Sequence, residues 1–179
     1  WPLLLGPLAM GVIYLAYWMQ WETMLQTPGK RFQESLALVL LGLAGCASAA
    51  RYWSQRQLWH LVLLFATVPL FCREIYFRGT SEGLYIGLAL IGVWSWRYRR
   101  QLLETVMMGQ TRFWLISTAG TYLLALLIAQ RVLRYVSLPY EDDLHTKFEE
   151  IVENVAHLLF LVTILVGGWG RRARLETKE

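Results

Sequence analysis

The chain is poor in the groups on which most soluble enzymes rely. Of its 179 residues only three are histidine, two are cysteine and five are proline. Cys46 and Cys72 both lie inside apolar stretches and show no Cys-x-x-Cys or other metal-type spacing, so they read as small buried hydrophobes. There is no Gly-x-Ser-x-Gly nucleophile elbow and no phosphate-binding glycine loop, which removes the common hydrolase and nucleotide-binding classes. Long polar stretches are also missing. The longest polar connections, 20–32 and 97–112, are too short to fold alone.

Apolar sequence fills the space. Hydrophobic residues make up 56% of the chain, well beyond what a soluble domain of this length carries. They fall in six blocks, most of them near the ~20 residues that cross a bilayer. The blocks are Pro2–Met19, Glu34–Ala50, Leu58–Phe77, Gly83–Trp96, Phe113–Leu133 and Phe148–Trp169. The expected fold class is therefore all-α: a polytopic membrane protein, a bundle of six transmembrane helices over residues 1–170 with a short basic tail at 171–179.

Basic residues set the orientation of such a bundle. With six spans, one side holds ten Lys and Arg, among them Arg51, Arg56, Arg97, Arg99, Arg100 and Arg112, and the other holds seven. The side with ten is expected to be cytoplasmic, and with it both termini, in a bacterial inner membrane; the net charges are +7 and −3, but the rule counts basic residues only. The nine Trp support the same spans, because most fall at block ends, where an indole sits in the headgroup zone. The segment from Arg97 to Arg112 carries Leu102, Leu103, Val106 and Met107 at helical spacing behind Arg99 and Arg100. It reads as a short interfacial helix that contacts anionic lipid, not nucleic acid.

Small residues point to close helix packing, since lipid offers helices no hydrophobic drive to associate. Glu34, Gly45, Ser48 and Ala49 lie near one face of the second block, and Gly83 and Gly87 form a Gly-x-x-x-Gly pair in the fourth. That pair is expected to pack inside the bundle rather than form a dimer seam.

The chemistry is concentrated in Ser137 to Gly170. Ser137 and Pro139 signal a helix start, followed by Glu141, Asp142 and Asp143 where the helix dipole favours them. At about 100° per residue, Asp142, His145, Glu149, Glu153 and His157 share an arc of roughly 120°. Ionisable groups at membrane depth are costly and usually face a bundle interior or a wet cavity. In the third block His60, Thr67 and Glu74 are spaced by seven, with His60 and Glu74 about 21 Å apart along the axis. Pro69 would kink that helix and open space beside Glu74. Arg131 is expected on the face of Ser117 and Thr121, with Arg134 one turn further on.

The candidate site is thus Glu149, Glu153 and His157, with Glu74, Arg131, Arg134, His145 and Arg73 as partners. Three readings compete. In the first, the groups form only a structural ion-pair network. In the second, they bind an ion, a proton or a lipid or polymer headgroup, in a small transporter or an accessory subunit of a membrane complex. The third reading is a metal-dependent lipid hydrolase, in which Glu149, Glu153 and His157 hold a divalent metal. The second is preferred, with no cofactor expected and no enzymatic role. Expected partners are membrane lipids, other membrane subunits or a second copy, and no nucleic acid. Bis-histidine haem is disfavoured, because His60 sits at the opposite end of the bundle from His145 and His157.

Overall fold

Apolar residues at helical spacing leave the backbone one economical way to satisfy its own N–H and C=O groups, the i to i−4 ladder. The computed structural model describes residues 2–19, 30–75, 80–106, 109–132 and 141–167, and among these there is no strand. A 3₁₀ turn at Pro2–Leu4 leads into α1 (Leu5–Trp18). There follow α2 (Lys30–Gln55), α3 (Leu58–Glu74), α4 (Thr80–Arg97), α5 (Arg99–Val106), α6 (Gly109–Ala129) and α7 (Glu141–Val166). The all-helical expectation holds. Each apolar block becomes one helix, and α5 is the short amphipathic helix expected after the fourth block.

The differences lie at the ends. Helix α2 extends four residues before its apolar block and five beyond it, because polar side chains leave the backbone ladder intact while reaching outward. Helix α7 begins at Glu141, seven residues before its apolar block. Helix α6 stops at Ala129, short of the expected Leu133, and Arg131 then adopts φ 53°. A left-handed residue cannot continue a right-handed helix. The Arg131 N–H instead donates to the Ile128 carbonyl at 2.8 Å. Ser137, Pro139, Arg134 and the tail 171–179 lie outside the described residues. So do the side chains of Asp142, Asp143 and His145 within α7.

The chain divides into two compact units. The first comprises Trp1–Ala37 and Leu115–Phe160, and the second Leu38–Trp114 and Leu161–Glu179. In the first unit, Met10 and Ile13 of α1, Ala125 and Ile128 of α6, and Phe148 and Val152 of α7 form one buried cluster. The Tyr14 and Phe148 rings meet at 5.0 Å. The approach of α1 to α6 depends on glycine. A Cβ at Gly6 would lie 3.4 Å from Thr121 Oγ1, and one at Gly120 would lie 2.6 Å from Leu3 Cδ2.

In the second unit, Gly45 of α2 faces Thr67 of α3, and Gly87 of α4 faces the ring of Pro69, where a Cβ would lie at 2.9 Å. Helix α3 runs through Pro69. The ring takes the space that Gly87 leaves, and Gly83 has no neighbour within 4 Å of a Cβ. On α2 the buried residues Leu41, Ala44 and Ser48 follow helical spacing, and Ala49 is exposed. Cys46 points away from that line and is exposed, and Cys72 is half-buried. Neither is the buried hydrophobe expected, since each sits off the packed face of its helix.

Two side chains tie helix ends together in the second unit. Arg51 of α2 donates to the carbonyls of Leu165 and Gly167 at the end of α7. The last carbonyls of a helix lack intrahelical donors, and the dipole there favours a cation. Trp59 Nε1 of α3 donates to the Leu102 carbonyl of α5 at 2.8 Å, so the amphipathic helix is held through its backbone. Leu102 is buried, while Arg99, Arg100 and Leu103 are exposed.

Among the described residues, two helices are by length and composition apolar enough to cross a membrane: Phe32–Gln55 and Gln110–Ala129, each with mean hydropathy 1.5. Only 22% and 28% of their apolar windows are buried.

Candidate functional site

Three of the groups expected on one face of α7 have described side chains. Glu149, Glu153 and His157 follow one another at four-residue steps, so each sits one turn above the last. The surroundings change along that line. Glu149 and Glu153 are half-buried, and His157 is fully buried, at 0% exposure. A carboxylate oxygen of Glu153 and a ring nitrogen of His157 lie within 4.8 Å of each other.

The residue that completes this arrangement is Tyr122 of α6, in the same unit. Its hydroxyl is 2.7 Å from Nδ1 of His157, and the two rings meet edge to face at 5.6 Å between centroids. The Phe160 ring, three residues beyond His157, also meets the Tyr122 ring edge to face, at 6.3 Å between centroids. The imidazole is therefore fixed both by a hydrogen bond at Nδ1 and by aromatic packing. Its Nε2 atom is buried too. Helix α6 carries Tyr122 beside a run of buried hydroxyls, Ser117, Thr118 and Thr121. Thr121 satisfies its own hydroxyl on the Ser117 carbonyl at 2.8 Å, so it does not compete for the histidine.

Sequence reasoning missed Tyr122. The available signal was the stripe of hydroxyl residues at 117, 118, 121 and 122 in an otherwise apolar block, which is the partner that a buried polar stripe on α7 requires.

The other expected partners are placed differently. Arg131 belongs to the same unit but lies past the end of α6, exposed, in its left-handed turn. It does not share the buried face of Ser117 and Thr121, because the helical register on which that expectation rested ends at Ala129. Arg73 and Glu74 are half-buried at the C-terminal end of α3 and belong to the second unit. Arg134 lies outside the described residues, as does the side chain of His145.

The column of His60, Thr67 and Glu74 stands on α3 as its spacing requires, with His60 and Thr67 buried. Its hydroxyl is occupied locally, since Thr67 Oγ1 donates to the Leu64 carbonyl at 2.6 Å. His60 Nε2 is 3.1 Å from Gln55 Oε1 at the end of α2. These bonds engage the Thr67 hydroxyl and one ring nitrogen of His60 locally.

Chemically, the arrangement in the first unit offers a carboxylate, an imidazole of fixed orientation and a phenol in sequence. Such a set can hold a cation, exchange a proton, or present donors to an anionic group. In comparisons with known protein families, with curated proteins and with solved structures, nothing matches this chain.

Proposed function

We propose that the chain is an integral membrane protein of six spans with cytoplasmic termini, and that Glu149, Glu153 and His157 bind a charged group within it. In this reading it acts as a small transporter or as the accessory subunit of a larger membrane complex.

Membrane residence is supported by the exterior of the helices. Leu8, Val39, Ile86, Leu90, Val93 and Leu123 are each more than half exposed, and many other large apolar side chains share that exposure. In water this would be an aggregation-prone surface; against lipid it is the expected one. The small-residue contacts at Gly6, Gly45, Gly87 and Gly120 suit association without a hydrophobic drive. The exposed Arg97, Arg99 and Arg100 fit the anionic headgroups of the inner leaflet.

The observation that carries the site is the burial of His157 at hydrogen-bond distance from Tyr122, with Glu153 beside it. A buried ionisable group in an apolar helix is costly, and a fully buried imidazole with a half-buried carboxylate and phenol beside it is an arrangement that function explains better than packing does. The test is native mass spectrometry of protein purified from membranes, wild type beside Glu153→Gln. A bound species carried by the wild type and lost in the variant is expected. A wild type that carries nothing would end this reading.

The fixed imidazole also favours the second reading, a metal-dependent lipid hydrolase using the same residues. Release of fatty acid from phospholipid by the purified protein, abolished by Glu153→Gln, would select it.

A further inference from the structure

We propose that the corner between α4 and α5 is a second binding site, which takes a phosphate group of two or more negative charges on Arg97, Arg99 and Arg100. Such a group is a diphosphate or a pair of adjoining phosphodiesters. The site uses none of the residues of the α7 face, so it stands or falls separately from that one.

The corner is concave. Helix α4 ends at Arg97, Tyr98 makes the turn, and α5 starts at Arg99. Trp96, Arg97, Tyr98, Arg99, Arg100 and Gln101 line a cavity of about 510 Å³ that opens to the surface. Ordinary ligand pockets span roughly 300 to 1,000 Å³. The lining sets the charge of what the cavity can hold. Half of these residues are arginine, and none is acidic. From Gly83 to Leu103 the chain has no Asp or Glu. Glu104, one turn beyond Arg100, offsets at most one charge, so a positive surplus of at least two remains. Among the described side chains, no carboxylate pairs with Arg97, Arg99 or Arg100. A single phosphodiester, with one negative charge, leaves part of that surplus unmatched, whereas two phosphates complement it. Guanidinium forks also meet phosphate oxygens two at a time.

The arginines stand on a braced frame. The Arg99 guanidinium lies over the Trp96 ring, 4.6 Å from its centroid. Stacking engages the flat face of the guanidinium and leaves its N–H edge for a ligand. Tyr98 packs on Trp94 at 5.4 Å, and Trp94 on Phe65 of α3 at 5.9 Å. The Tyr98 N–H donates to the Ser95 carbonyl, and the Leu102 N–H to the Tyr98 carbonyl, each at 3.2 Å. Trp59 of α3 holds α5 again through the Leu102 carbonyl. A corner fixed in this way orders less on binding than a flexible basic segment would, and it distinguishes a site from a diffuse charge. Basic pockets at the cytoplasmic surface of membrane helices suit headgroups of this kind.

The experiment is native mass spectrometry of the full chain in detergent, with phosphatidylglycerol and diphosphatidylglycerol added at equal phosphate concentration. One diphosphatidylglycerol is expected to bind, about five-fold or more tightly than phosphatidylglycerol. Arg99→Gln should weaken it about ten-fold or more. Arg112→Gln removes the same charge outside the cavity and should change binding by less than about two-fold. Trp96→Leu keeps every charge but releases Arg99, and should weaken binding about two- to five-fold. Trp96 is 70% exposed, so this variant leaves the packing of the helices intact. Inorganic diphosphate, titrated by calorimetry, separates the sources. Binding with the same dependence on Arg99 assigns the site to the phosphate group itself, free or carried by a lipid. Binding of the lipid alone assigns it to a headgroup, and that source rests on the membrane reading. Equal losses in Arg99→Gln and Arg112→Gln overturn the site. So does a wild type that neither prefers diphosphatidylglycerol nor binds diphosphate.

Discussion

Arg51 reaches from α2 to the carbonyl of Gly167, the first residue past the end of α7, with Nη1 3.4 Å from the oxygen, while Nη2 bonds the Leu165 carbonyl. One guanidinium thus caps the helix that carries the candidate site. The planar guanidinium presents its two N–H groups in a fixed fork, one to each carbonyl.

Replacing Arg51 should therefore loosen the end of α7. Arg51→Met is expected to lower stability by about 1 kcal/mol, the scale of a partly exposed charged hydrogen bond at a helix terminus. Arg51→Lys should recover part of the loss, since it keeps the charge but not the fork. Thermal unfolding in detergent, followed by circular dichroism, measures both. Equal stability of Arg51→Met and wild type would show that the cap contributes nothing.

The two glycines of the Gly-x-x-x-Gly pair should separate sharply. A Cβ at Gly87 would meet the rigid Pro69 ring at 2.9 Å, whereas one at Gly83 would meet nothing within 4 Å. Gly87→Leu should cost about 1 to 3 kcal/mol through overpacking. Gly83→Leu should leave unfolding unchanged. If Gly83→Leu alone changes the oligomeric state on size exclusion, the pair belongs to a seam between copies instead.

The proposed topology of six spans with cytoplasmic termini predicts a direct labelling outcome. With Cys46 and Cys72 replaced by Ala, a single cysteine at Thr27 should react with an impermeant maleimide on intact cells. One at Gln101 should react only after the cytoplasmic side is opened. Labelling of Gln101Cys from outside would invert the topology.

The basic edge around α5 should retain anionic lipid. Arg99 stacks over Trp96 at 4.6 Å, and Arg97 and Arg100 are exposed beside it. Each Arg near the surface contributes about 1 kcal/mol toward an anionic leaflet. Arg99→Gln with Arg100→Gln should then reduce phosphatidylglycerol carried through purification more than ten-fold, with phosphatidylcholine unaffected. Equal retention of both lipids in wild type and variant would refute a specific contact.

Much of this was readable from residue order. The apolar blocks located every long helix because burial of backbone polar groups leaves few alternatives to the helix. The face of Glu149, Glu153 and His157 followed from spacing alone, since residues four apart align whatever surrounds them. Arg131 shows where spacing misleads: it extrapolates a helix that stops at Ala129, because one left-handed residue ends the register. Cys46 shows a second limit, since composition says that a residue is apolar but not which side of its helix is covered.

The sequence by itself determined the helical class and the spacing of Glu149, Glu153 and His157 along α7, both of which are local properties. Only the tertiary structure decided the partners. Tyr122 and His157 are 35 positions apart and Arg51 and Gly167 are 116 apart. A hydrogen bond across such separations depends on helix rotation and axial offset, and these are set by which small residues allow close approach. Gly6 against Thr121 and Gly87 against Pro69 are such choices, fixed by shape rather than by any periodicity in the chain.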